Sequence, residues 1–305
     1  MRCMKKRQFS KLKLGTPRHV TAGLANHEHP ALSPDGRLLA YYAGPYGSIQ
    51  VFVADRRGRL ARVVSPLSGN STQPAWHPAG ESVAYRHQHA NDAKWELWET
   101  ALYGPGTQPR CLLANDQWHY KHPYYDPTGA YLTYFTDEDS TGVYHIWLWH
   151  LASGQKLQLT FGDTQMHCHP VFSPDGKRIV YHAYRGTDES VLPGVTNLYE
   201  LDIASGQTRE LTGGEDQYKH PFYLDDGVIT FHHESNEDGR RWLCAMHLKS
   251  GEIVRLTSGK SNDKHPFPFV SAKGRLHLAW SSKKLGPELP EEPIDYDIFI
   301  ARLKA

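Results

Sequence analysis

The stretch Gln165-Met166-His167-Cys168-His169-Pro170 places an amide and two imidazoles on alternate positions. Alternate residues of an extended strand face the same side, so Gln165, His167 and His169 read as neighbouring donors. Neutral imidazole is a frequent ligand of divalent transition metals, and an amide oxygen can join it. Gln117, His119 and His122 repeat the pattern more loosely. No fixed-spacing metal motif of the HExxH kind occurs, so the competing reading of these histidines is polar lining.

His169 is one of a series. A residue followed by proline opens each of six related segments, and it is His29, Gln73, His122, His169, His220 and His265. Were these positions equivalent around a ring, five imidazoles would converge. Such a cluster must share protons, lower its pKa values or bind something. A second set of positions, six residues after each turn glycine, gives Tyr42, Arg86, Phe135 and His182. A shorter turn gives His232 and an expected bulge gives Trp280. Lys121, Lys219 and Lys264 precede three of the ring histidines, and Arg185, His87, His89 and His233 stand nearby. The expected assignment is metal ligands Gln165, His122, His167, His169 and His220. Arg86 and Lys219 are expected to meet a carboxylate, and His182 and His232 to act as bases. His29, His265, Arg185, Tyr42, Trp118 and Trp280 are expected to line a substrate, the aromatics stacking on sugar faces or simply packing.

The elements that must position these residues follow from the repeat. The six segments, such as "HPALSPDGRLLAYY" from His29 and "HPVFSPDGKRIVYH" from His169, recur at intervals of 44 to 51 residues. Each reads as a strand, a Pro-Asp-Gly turn or variant, an alternating strand, a third strand such as "NLYELDI", and a fourth such as "TRELTGG". A period in this range with four short strands indicates a β-propeller. The last repeat lacks a fourth strand, and "PRHVTAG" near the start supplies an orphan one. The expectation is an all-β, six-bladed propeller over residues 15–305, closed by the N-terminal strand completing the last blade. Residues 1–14 are expected to be a loose tail. Two long connections, within 183–197 and 281–297, should lie on the histidine face, where loops commonly carry specificity.

The repeats resemble those of the TolB propellers, with "SPDG" and the "LT.G" fourth strand as carriers. Such propellers do many jobs, so this resemblance speaks to fold. "TQMHCHPVFSPDGKRIVY" is similar to the metal-binding repeat of the oligogalacturonate lyases, in which a glutamine and two histidines help hold manganese. That resemblance implies Gln165, His167 and His169 as ligands, with a further histidine from another blade. Manganese is the metal it implies, with nickel or zinc as alternatives. The spacing from Gln165 to His167 is one residue shorter than in that family, which has seven blades.

The formal charge is +1 with 19 histidines counted neutral, giving no reason to expect nucleic acid or an anionic membrane as partner. No stretch of signal-peptide or membrane-span length is apolar. The four cysteines, Cys3, Cys111, Cys168 and Cys244, form no CxxC pair. The expectation is a cytoplasmic protein with reduced thiols. No GxSxG elbow, glycine-rich phosphate loop or convincing carboxylate pair occurs. The expected function is a metal-dependent lyase performing β-elimination on small uronate-containing oligosaccharides. The alternative is a non-catalytic propeller binding a protein or a small anionic ligand at the same face.

Overall fold

The computed structural model describes residues 6–21, 26–90, 93–139, 142–186, 194–284 and 295–304. Residues 187–193 and 285–294 of the two long connections lie outside them. A single helical turn, α1 (Lys6–Phe9), precedes β1 (Lys13–Leu14) and β2 (Arg18–His19). The first repeat contains β3 (His27–Leu32), β4 (Leu38–Ala43), β5 (Gln50–Asp55) and β6 (Arg62–Val63). The second contains β7 (Asn70–Trp76), β8 (Ser82–Gln88), β9 (Glu96–Ala101) and β10 (Arg110–Leu113). The third contains β11 (Tyr120–Tyr125), β12 (Tyr131–Thr136), β13 (His145–His150) and β14 (Lys156–Gln158). The fourth contains β15 (Gln165–Phe172), β16 (Arg178–Arg185), β17 (Thr196–Asp202) and β18 (Thr208–Glu210). The fifth contains β19 (Gln217–Asp225), β20 (Val228–Glu234), β21 (Arg241–His247) and β22 (Ile253–Arg255). The last contains β23 (Ser261–Val270), β24 (Leu276–Lys284) and β25 (Asp297–Lys304).

The strands of each repeat pair antiparallel in chain order. The fourth and fifth repeats are joined into one eight-stranded sheet by a single parallel pairing, Thr196 with Gln217. The last sheet takes both N-terminal strands onto β25, with Arg18 opposite Ile300 and Lys13 opposite Lys304. Among the described residues no helix is long and apolar enough to cross a membrane.

Local chemistry explains the turns. In Ser33-Pro34-Asp35-Gly36 the Gly36 N–H bonds the Ser33 carbonyl at 2.8 Å, and the Asp35 carboxylate accepts from Ser33 Oγ and the Arg37 N–H. Gly36 has φ +65°, and a Cβ there would lie 2.7 Å from the Val270 carbonyl oxygen of the adjoining sheet. Glycine is thus required both by conformation and by approach. Ser173, Asp175 and Gly176 repeat this turn.

The second strand of each repeat carries a buried aromatic residue: Tyr41, Tyr85, Tyr134, Tyr181, Phe231 and Trp280. They pack between neighbouring sheets, in separate apolar clusters. Residues 6–14, expected within a loose tail, are instead docked. Phe9 and Leu12 are buried against Leu224, Val228, Ala245 and Leu303. The two apolar side chains spaced one turn apart were the unread signal.

Candidate functional site

The first strand of every repeat carries the same irregularity. Between Glu28 and Ala31, Thr72 and Ala75, Lys121 and Tyr124, Cys168 and Val171, Lys219 and Phe222, and Lys264 and Phe267, that strand advances three residues while its partner advances two. Each is a β-bulge, in which the ring residue and the proline after it together oppose one residue of the partner strand. Proline has no N–H to donate, and a bulge has no ladder bond to lose there. The ring residues all adopt the left-handed conformation: φ is 55° at His29, 57° at Gln73, 52° at His122, 55° at His169, 52° at His220 and 54° at His265. Non-glycine residues seldom adopt it, and a following proline favours extended backbone. Six copies of one strained residue point towards function.

The bulges turn five imidazoles onto each other. Ring centroids are 4.0 Å apart for His29 and His265, 4.4 Å for His265 and His220, 4.1 Å for His220 and His169, and 4.4 Å for His169 and His122. His29 also approaches His220 at 5.1 Å, His122 at 5.8 Å and His169 at 6.1 Å, so it touches every other member. His182 stacks on His169 at 4.7 Å, and His232 stacks on His220 at 5.1 Å. Gln73, the sixth ring residue, is buried.

Every one of these seven histidines has a buried ring nitrogen with no hydrogen-bond partner: Nε2 of His29 and His182, and Nδ1 of His122, His169, His220, His232 and His265. Burying such a group without a partner costs roughly 1–3 kcal/mol. Burial also disfavours the charged ring, pushing His122 down to about 3 and the other six well below the usual histidine range. The cluster is therefore neutral, the form that binds metal. Two groups, His29/His220/His265 and His29/His122/His169, bring one donor atom from each residue within 4.8 Å of the others. The donor set fits a divalent transition metal.

A collar surrounds the cluster. The residue before each ring position pairs across to the second strand, giving Glu28–Tyr42, Thr72–Arg86, Lys121–Phe135, Cys168–His182, Lys219–His232 and Lys264–Ser281. Arg86 donates to Thr72 Oγ1 at 2.6 Å and lies 4.0 Å over Trp95. Lys121 lies 4.2 Å over Tyr144, and Lys264 3.8 Å over Tyr296. Lys219 donates to Gln217 and faces Tyr184. Glu28 holds the Lys264 ammonium at 2.8 Å and accepts from the Tyr42 hydroxyl at 2.9 Å.

Several expected site residues are elsewhere. The left-handed bulge at His169 breaks the two-residue alternation, so His167 does not follow it into the cluster. His167 Nδ1 instead meets His145 Nδ1 at 3.3 Å, and His145 Nε2 lies 3.3 Å from Asp139. Gln165 bonds the Tyr199 hydroxyl. Arg185 forms an exposed ion pair with Glu215 at 3.1 Å. Trp118 packs against the cluster of Ala84, Leu97 and Tyr134. Trp280 is interior, with its indole N–H donating to buried Asp263 at 3.3 Å, and Ser281 holds the position assigned to it, bonding the His29 N–H. Glu28 was missed. Its signal was a charge reversal, since the same place in three other repeats is lysine.

No protein-family model matches the chain. It is 28% identical over 190 residues to YuxL of Bacillus subtilis strain 168, an uncharacterised peptidase; the match covers 61% of this chain and 24% of that one. The chain thus spans about a quarter of that relative. A TolB-like protein from Agrobacterium tumefaciens superposes with a TM-score of 0.65 at 18% identity, over 93% of both chains. An oligogalacturonate lyase in complex with manganese superposes at 0.56 and 16% identity, over 93% of this chain and 79% of that one. The chain has the β-propeller fold. At these identities the likeness carries the fold of the propeller and leaves its activity to its own residues.

Proposed function

We propose that the chain is a cytoplasmic, metal-dependent carbohydrate-active enzyme, a lyase performing β-elimination on small uronate-containing oligosaccharides. Its six repeats are the blades of one ring over residues 15–305, closed by β2 on β25. One observation carries the reading: seven neutral imidazoles, each with a buried nitrogen lacking a protein partner, meet in one cluster beside a cationic collar.

β-Elimination breaks a C–H bond next to the uronate carboxylate and passes that proton to a base. The electron pair forms a double bond to the neighbouring carbon, whose bond to the leaving oxygen breaks, and that oxygen takes up a proton. A divalent metal, when bound, stabilises the charge that develops on the carboxylate. Arg86 and the Lys219 ammonium meet the same carboxylate from the protein side. His232 is kept neutral by burial and by Arg241 and Lys219, and so can accept the proton. Water supplies the proton for the departing oxygen. His182 has a different part. Its Nδ1 accepts the His220 backbone N–H at 3.3 Å, which leaves its proton on Nε2, and it serves as a hydrogen-bond donor to the substrate.

The second reading, a non-catalytic propeller that binds a protein or a small anionic ligand at this face, is favoured by one feature. Gln165 and His167 are engaged with Tyr199 and His145, away from the cluster. The test is incubation of manganese-loaded protein with uronate oligosaccharides, monitoring ultraviolet absorbance of an unsaturated product. Product formation lost in His232→Gln supports the lyase. Tight binding of the oligosaccharide without product supports the second reading.

A further inference from the structure

The two imidazole groups share His29. His29 has one buried nitrogen without a partner, Nε2, and one lone pair serves one ion. The two groups are thus alternatives through that atom, and the charges around them differ.

Beside His29/His220/His265 there is a carboxylate: Glu28 Oε2 lies 3.8 Å from His265 Nδ1. The cations on this side face carboxylates, Lys264 on Glu28 and Arg241 on Glu234, each at 2.8 Å. Beside His29/His122/His169 there is the Arg86 guanidinium, held on Thr72 Oγ1 at 2.6 Å next to Gln73, in the repeat between those of His29 and His122. A fixed cation opposes a second cation and attracts an anion.

We propose that a divalent transition-metal ion is held by His29, His220 and His265 with the Glu28 carboxylate as fourth ligand, and that His122 and His169, beside Arg86, receive the anionic group of the substrate. This rests on the metal reading of the preceding section and assigns its ligands. Three imidazoles and one carboxylate suit manganese, iron, nickel or zinc. Glu28 stays opposite the Lys264 ammonium at 2.8 Å while its carboxylate, 3.8 Å from His265 Nδ1, serves the ion as well.

The experiment is calorimetric titration of the untagged, metal-stripped full-length chain with manganese chloride, and of the manganese-loaded protein with galacturonate. The proteins are the wild type and the variants Glu28→Gln, His265→Gly, His122→Gly and His169→Gly. Glycine keeps the left-handed backbone at the ring positions, and thermal unfolding checks that each variant is folded. The expected result is one ion per wild-type chain, weakened at least tenfold in E28Q and H265G. H122G and H169G keep metal affinity within about threefold and lose galacturonate affinity at least tenfold. E28Q needs no change in the ring and tests the assignment even if H265G does not fold. Metal binding lost in H122G and H169G but kept in E28Q and H265G overturns this assignment and leaves the metal reading standing. A wild type that binds no manganese overturns both.

Discussion

His29 of the first repeat and His265 of the last stack with ring centroids 4.0 Å apart and planes inclined by 28°. The contact exists because both residues occupy left-handed bulges that turn their side chains onto each other. The propeller therefore invests the same local strain in every repeat to build one cluster, and the predictions below follow from that arrangement.

The strain itself is measurable. A Cβ is disfavoured at positive φ, so at His122 or Gln73 substitution by alanine should destabilise more than substitution by glycine, by about 1 kcal/mol. Ordinary strand positions show the opposite order. Chemical denaturation of H122A, H122G, Q73A and Q73G decides it; alanine variants as stable as glycine ones would count against a left-handed ring.

Histidines outside the ring set a pH dependence. Burial pushes His87 and His167 each down to about 4. The unfolded chain binds their protons near the ordinary value of 6.5, so stability is complete above that pH. It is lost as pH falls from 6.5 towards 4, where the folded rings also protonate. At pH 5 each should take up about 0.9 proton on unfolding. Thermal unfolding of wild type and His87→Gln across pH 4 to 7 should show a shallower loss in the variant. Equal slopes would contradict the buried neutral ring.

Trp280 belongs to the packing between sheets. Its replacement by phenylalanine removes a donor from Asp263, which also accepts from Ser282 at 2.6 Å and Ser261 at 3.0 Å. W280F should lose about 1–3 kcal/mol of stability with metal affinity unchanged, read by denaturation and calorimetry. A change in metal affinity at constant stability would return Trp280 to the site.

The N-terminal segment should matter to folding. Phe9 is fully buried against Leu224, Val228 and Leu303, so Phe9→Ala should cost about 3–5 kcal/mol. Deletion of residues 1–12 should lower the melting temperature comparably, whereas a loose tail would leave it unchanged.

Much of this was legible in the sequence. The turn chemistry of Ser33-Pro34-Asp35-Gly36 and the spacing of its copies gave the four-stranded units, and the residue before each proline gave the cluster. What failed did so for a geometric reason. Strand alternation predicts that His167 and His169 share a face, and a left-handed bulge at His169 cancels it. The same bulge sits in all six first strands, so counting from the turn glycine went wrong only in the last repeat, where the paired strands are longer (Lys264 to Ser271 against Glu28 to Ser33), placing Trp280 where Ser281 belongs. Glu28 was readable as a reversed charge in a column of lysines. Its role depends on Lys264 and His265, which come from the other end of the chain.

The central claim is that the axial imidazoles hold a metal. Elemental mass spectrometry of the untagged protein, purified without chelator, tests it most directly, with His29→Gly as the comparison. The account predicts close to one divalent transition-metal ion per wild-type chain and almost none in H29G, with both proteins folded. A wild type without metal, even after incubation with manganese, nickel or zinc, would contradict it.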